Sequence, residues 1–143
     1  MSYRSFFLKW FYVIISFSKC SLHGRVESAC SGLLPDASSL NRADLDLIKI
    51  RTTALEVFCI CLKHKKNYLD FYASRQTKCC DPLSRHNKPA GAVKEITMLM
   101  YLQSKSSDKL DAPLIPGSKL CKRCVPEVMS LLKDIEVPED PLQ

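Results

Sequence analysis

Between positions 43 and 72 apolar residues recur at three- and four-residue intervals. Leu47, Ile48, Leu55, Phe58, Leu62 and Leu69, with Arg51 among them, fall along one side of a helix. Lys63, Lys65, Lys66 and Asn67 gather toward the solvent side of the same helix. The spacing predicts one helix over 43–72. Leu45-Asp46-Leu47 and Ile48-Lys49-Ile50 also alternate, which makes a strand over 45–50 a rival. A second helix is predicted over 92–103, with Val93, Ile96, Leu99 and Met100 on its buried side. A third starts directly after Cys124, with Pro126 suited to its first turn and Val128, Leu131, Leu132 and Ile135 as its apolar stripe. Pro82 interrupts the pattern and pushes Asp81 toward extended backbone. Pro89 and Gly91 mark another break, 104–111 reads as a polar loop, and Pro116-Gly117 suits the centre of a type II turn.

The amino end differs from the rest. Residues 6–17 are the most hydrophobic stretch, preceded by Arg4, and Ser16 and Ser18 are small residues placed for a cleavage after Ser18. This resembles a secretory signal. Lys9 splits the run, however, and the unbroken part from Trp10 to Phe17 is far shorter than the ~20 residues that span a bilayer. Positions 19–42 are rich in Ser, Gly, Asn and Pro and read as a linker carrying Cys20 and Cys30, ten residues apart and without knuckle spacing.

The expected organisation is a hydrophobic leader and polar linker over 1–42, a helical Cys/His module over 43–137 and an acidic tail over 138–143. The expected class is mainly α, a small helical domain stapled by a metal knuckle. A chain of 143 residues with two poorly patterned ends has a thin core, to which a cross-link adds usefully. Charge is uneven. Thirteen Lys or Arg face five Asp or Glu from Cys59 to Cys124, whereas one Lys faces five acids from Val125 onward. The surplus on the cysteine-bearing segment favours an anionic partner such as nucleic acid.

Six of the eight cysteines form close pairs: Cys59 with Cys61, Cys79 with Cys80, and Cys121 with Cys124. Such pairs present thiolates to a tetrahedral metal. His64 lies three residues after Cys61, and His86 six after Cys80. In a continuous helix Cys59 and Cys61 would point about 200° apart and could not share an ion, whereas Cys61 and His64 would share a face. Cys59 then reads as a buried, inert hydrophobe. Cys121 and Cys124 enclose Lys122 and Arg123, cations that favour thiolate. Cys124 stands where the third helix begins, and free N–H groups there stabilise a thiolate further.

Over 116–135 this arrangement resembles the closing half of treble-clef zinc fingers, in which a Cys-x-x-Cys pair opens the terminal helix. The chain departs from that pattern by offering Cys79-Cys80 and His86 in place of a second Cys-x-x-Cys. The combination of Cys80-Asp81-Pro82, His86-x-Lys88 and Pro116-Gly117-x-Lys119-Leu120-Cys121-x-x-Cys124 is also similar to a short module of uncharacterised invertebrate proteins, which implies no function. Adjacent side chains diverge, so one of Cys79 and Cys80 is the ligand, and the bend at Asp81-Pro82 favours Cys80. The expected zinc site is Cys80, His86, Cys121 and Cys124, with Cys79, Cys61 or His64 as alternates for the fourth corner. Four protein ligands leave no position for water, so such a site is structural.

No phosphate-binding glycine loop and no His-Glu-x-x-His motif occurs, and no βαβ unit is visible around Cys121 and Cys124. A non-enzymatic zinc module is therefore expected, acting on nucleic acid or protein through a basic surface in the cell interior or nucleus. Lys119, Lys122, Arg123, Arg85 and Lys88 are the candidate phosphate contacts, with Lys63, Lys65 and Lys66 beside them. The alternative is a secreted protein in which the eight cysteines form four disulfides.

Overall fold

The computed structural model describes residues 20–26, 30 and 40–137. The apolar stretch at 6–17 and the tail over 138–143 lie outside them. Two compact units make up the chain, Met1–Phe71 and Tyr72–Gln143. The single module expected over 43–137 runs across both. Among the described residues there are five α-helical segments, one π-helical turn and one two-stranded sheet.

In the first unit, α1 spans Arg42–Thr52. Asn41 caps it, its side chain accepting the Asp44 N–H at 2.8 Å. The helix ends where Thr53 turns to a positive φ of 55°. The continuous helix expected over 43–72 is thus broken, and the rival strand over 45–50 is absent because those residues are helical. Two β-branched residues in sequence favour a stop here, and the Thr52 hydroxyl donates to the Ile48 carbonyl at 2.6 Å. From 54 to 60 the chain is irregular. Ala54, Val57, Cys59 and Ile60 are buried while Leu55 is 88% exposed and Phe58 59% exposed, so neither of the latter belongs to a buried helical face.

Helix resumes as α2 (Leu62–Lys65), which runs into a π-helical turn over Lys66–Asp70. The Arg51 guanidinium donates to the Tyr68 carbonyl at 3.0 Å and ties α1 to that turn. An amino-terminal strap completes the unit. Ser21 donates its N–H to the Cys59 carbonyl at 2.8 Å, and its hydroxyl oxygen accepts from the N–H groups of Phe58 and Cys59. Leu22, Ile48, Ala54, Val57 and Ile60 pack with Cys20 and Cys61 as the core.

The second unit opens with α3 (Tyr72–Arg75), followed by an irregular segment and β1 (Lys94–Glu95). Helix α4 (Met98–Lys105), β2 (Lys119–Leu120) and α5 (Cys124–Leu132) complete it. The strands are antiparallel, with Lys94 opposite Leu120 and Glu95 opposite Lys119. The helix expected from 92 begins later because the Thr97 hydroxyl caps it, accepting the Met100 N–H at 3.2 Å. Val93 and Leu99 are exposed, whereas Ile96 and Met100 enter the core with Leu110, Leu114, Leu120, Val128 and Leu132. Pro116 and Gly117 form the expected turn. Gly117 has the positive φ (89°) that its second central position requires, and the Ser118 N–H returns to the Ile115 carbonyl at 3.1 Å. The Gln103 amide donates to the carbonyls of Leu132 and Ile135 near the end of α5, the former also accepting the Ile135 N–H.

Candidate metal centres

Tetrahedral zinc, with Zn–S near ~2.3 Å and Zn–N near ~2.0 Å, places its ligand atoms about 3.5–3.8 Å apart. Among the described residues, two groups of side chains come close to that spacing, one in each unit. In the second unit the ligand atoms of Cys79, His86, Cys121 and Cys124 all lie within 4.8 Å of one another. His86 Nε2 is 3.2 Å from Cys124 Sγ and 3.3 Å from Cys121 Sγ. Cys121 follows β2, and Cys124 is the first residue of α5, so the tight turn between strand and helix supplies two corners.

The structure brings His86, Cys121 and Cys124 together with Cys79, one of the alternates, while Cys80 lies outside the group. The cause is local. Cys79 and Cys80 are held in extended backbone: the Cys79 N–H donates to the Ala90 carbonyl at 2.9 Å, and the Cys80 N–H to the Lys119 carbonyl at 2.8 Å. Successive side chains of extended backbone point to opposite faces. Cys79 therefore turns inward and Cys80 is exposed. Asp81 is not extended but takes a positive φ of 47°, a conformation Asp tolerates better than most residues. That bend carries the Asp81 N–H back to 3.4 Å from Cys79 Sγ. Its carboxylate accepts the N–H groups of Arg85 at 2.9 Å and His86 at 3.0 Å, which fixes the approach of the imidazole. The Arg85 N–H foremost, and then that of His86, hold this carboxyl below its usual value against a burial effect that raises it.

Cys61 and His64 do not join this group. They belong to one in the first unit, with Cys20 and Cys30, whose four ligand atoms also lie within 4.8 Å of one another. His64 Nδ1 is 3.3 Å from Cys20 Sγ, 3.3 Å from Cys61 Sγ and 3.9 Å from Cys30 Sγ. Sequence reasoning set Cys20 and Cys30 aside because they have no local partner; both converge on a histidine more than thirty residues away. Cys59 is buried and lies outside both groups.

The thiols respond to this crowding. Burial opposes the Cys121 thiolate, but the N–H groups of Cys124 and Arg123 and the neighbouring thiols outweigh it and bring the group down to about 7. Burial, with the adjacent sulfurs of Cys121 and Cys79, pushes Cys124 up to about 12. Burial, with Cys20 and Cys61, pushes Cys30 up to about 11. One thiolate in each cluster, Cys124 and Cys30, is thus disfavoured, and a divalent cation is the charge that would reverse this.

The five expected phosphate contacts are all in the second unit. Lys122 and Arg123 are exposed within the Cys121–Cys124 turn, and Lys88 is exposed near His86. Lys119 is half-buried on β2. Arg85 is paired with Glu127 of α5. Among the described residues no helix is long and apolar enough to cross a membrane. No protein-family model and no solved structure matches the chain.

Proposed function

We propose that the chain is a non-enzymatic zinc-binding interaction module, and that nucleic acid is the partner its charge favours. The observation that carries this reading is the convergence of Cys79, His86, Cys121 and Cys124 within 4.8 Å at the mouth of α5. Three sulfurs and one imidazole suit zinc, and a site closed by four protein ligands is structural. The resemblance to a treble-clef closing half is supported by Cys124 opening α5 after the short β2 strand. Thiolate ligation requires reduced cysteines, which fits an intracellular compartment. Lys122 and Arg123 are exposed between two of the ligands, so an ion bound there would hold the turn that carries their charge.

The test is a binding titration of the zinc-loaded chain against duplex DNA and single-stranded RNA over a range of salt. Replacing Lys119, Lys122 and Arg123 by Gln should flatten the salt slope by roughly 0.9 per lost duplex phosphate contact. Arg85→Gln should change it less, because Glu127 already neutralises that guanidinium. An unchanged slope, or binding no steeper than that of a neutral control, would point to a protein partner.

A further inference from the structure

We infer that Cys20, Cys30, Cys61 and His64 hold a second zinc ion, which the preceding reading does not require, and that this ion anchors the Cys20–Cys30 segment to the helices of the first unit. His64 and Cys61 are fully buried and Cys20 is 5% exposed. Burying an imidazole beside three thiols is costly unless the group is paired or bound to a metal. The sulfur-to-nitrogen separations of 3.3, 3.3 and 3.9 Å lie on either side of the tetrahedral edge, within a few tenths of an ångström. Disulfide pairing would use two of the three sulfurs and leave the third as a thiol beside the imidazole; one cation uses all three and the imidazole as well.

The backbone is arranged for the same end. Cys61 and His64 supply two corners from a single helical turn. The Cys61 N–H donates to Cys20 Sγ at 3.3 Å, and the His64 N–H to Cys61 Sγ at 3.5 Å, and these bonds hold both sulfurs facing the imidazole. Among the described residues, Leu22, Ile48, Ala54, Val57 and Ile60 are the buried aliphatic residues around them. An ion joining residue 20 to residues 61 and 64 closes a loop of more than forty residues. Ion affinity here is folding free energy of the first unit. His23 Nδ1 lies 3.5 Å from Cys30 Sγ but is outside the convergent four.

The experiment is native mass spectrometry of the full chain, prepared under reducing conditions with zinc and repeated with cobalt, whose visible absorption reports tetrahedral thiolate ligation. Wild type should carry two ions. Cys20→Ser, Cys61→Ser and Cys121→Ser should each carry one, while His23→Ala and Cys80→Ser should keep two. Should the variants fail to fold, the cobalt titration of wild type decides: thiolate absorption rising through a second equivalent supports the site, and saturation at the first overturns it. A chain with one ion, kept in Cys61→Ser and lost in Cys121→Ser, overturns this inference and leaves the zinc of the second unit in place. One ion lost in Cys61→Ser and kept in Cys121→Ser upholds this site and removes the basis of the proposed function. Two ions retained in both Cys20→Ser and Cys61→Ser would overturn the ligand set.

Discussion

Cys61 caps the helix that carries His64. Its Sγ accepts the His64 backbone N–H at 3.5 Å and lies 3.3 Å from Nδ1 of the same residue's ring. One side chain thus sets the start of α2 and stands at a corner of the first cluster. The two roles separate by substitution. Ser is a good cap but a poor zinc ligand, so Cys61→Ser should leave the metal-free fold within ~0.5 kcal/mol of wild type while losing the zinc-dependent gain of the first unit. Cys61→Ala removes the cap as well and should cost about 1 kcal/mol more. Thermal melts by circular dichroism with zinc and with chelator measure both.

The legible parts of the sequence were those whose signals are local. The Pro116-Gly117 turn, the Cys121-x-x-Cys124 spacing and the stripe of Val128, Leu131, Leu132 and Ile135 each lie within a few residues, and together they specify the turns and the helix there, though not the two-residue strand between them. The break at Thr53 was hidden by apolar residues whose spacing continues past it, although Leu55 and Phe58 face solvent. Thr97 was a usable signal, a hydroxyl residue immediately before Met98, and it marks where α4 begins. Nothing local announces Cys20 or Cys30. Their partner is His64, and contacts across such separations arise from packing of the unit, not from periodicity.

Thr97 therefore carries a measurable load. Its hydroxyl satisfies the Met100 N–H at the start of α4, the helix that brings Met100 and Ser104 into the buried part of the unit. Thr97→Ala should destabilise the second unit by about 1 kcal/mol, and Thr97→Ser should recover most of the loss. Urea denaturation of the zinc-loaded protein reads the difference.

Asp81 positions His86 without being one of the four convergent groups. Its carboxylate holds the Arg85 and His86 N–H groups from a backbone at φ 47°. Asp81→Asn keeps an acceptor and tolerates that conformation, whereas Asp81→Ala loses both acceptors. Zinc affinity of the second unit should fall in the order wild type, Asn, Ala, with the Ala variant weaker by about tenfold or more. The carboxyl value is lowered in the folded state, so its stabilisation is present above the ordinary value of 3.8 and fades only as pH falls through the lower folded one. The turn thus stays charged above pH 4. Acid release of zinc in Asp81→Asn should consequently keep the steepness of wild type, with its midpoint raised only as far as the affinity falls, as a chelating dye titration can check.

The vicinal pair is the sharpest test of the second site. Extended backbone sends Cys79 toward His86, Cys121 and Cys124 and sends Cys80 to solvent, and the Asp81 N–H points back at Cys79 Sγ from 3.4 Å. Exchange of roles by a slip of one residue would lose both the hydrogen bond of the Cys79 N–H to Ala90 and that of the Cys80 N–H to Lys119. Cys79→Ser should therefore abolish zinc binding in the second unit and lower its thermal midpoint, while Cys80→Ser should retain zinc and stability near those of wild type. Alkylation offers an independent reading. In the zinc-loaded protein Cys80 should be the first of the pair modified by iodoacetamide, with Cys79 protected until chelator is added, and peptide mass mapping distinguishes the two. Zinc kept by Cys79→Ser and lost by Cys80→Ser would mean that the turn is aimed through the other thiol.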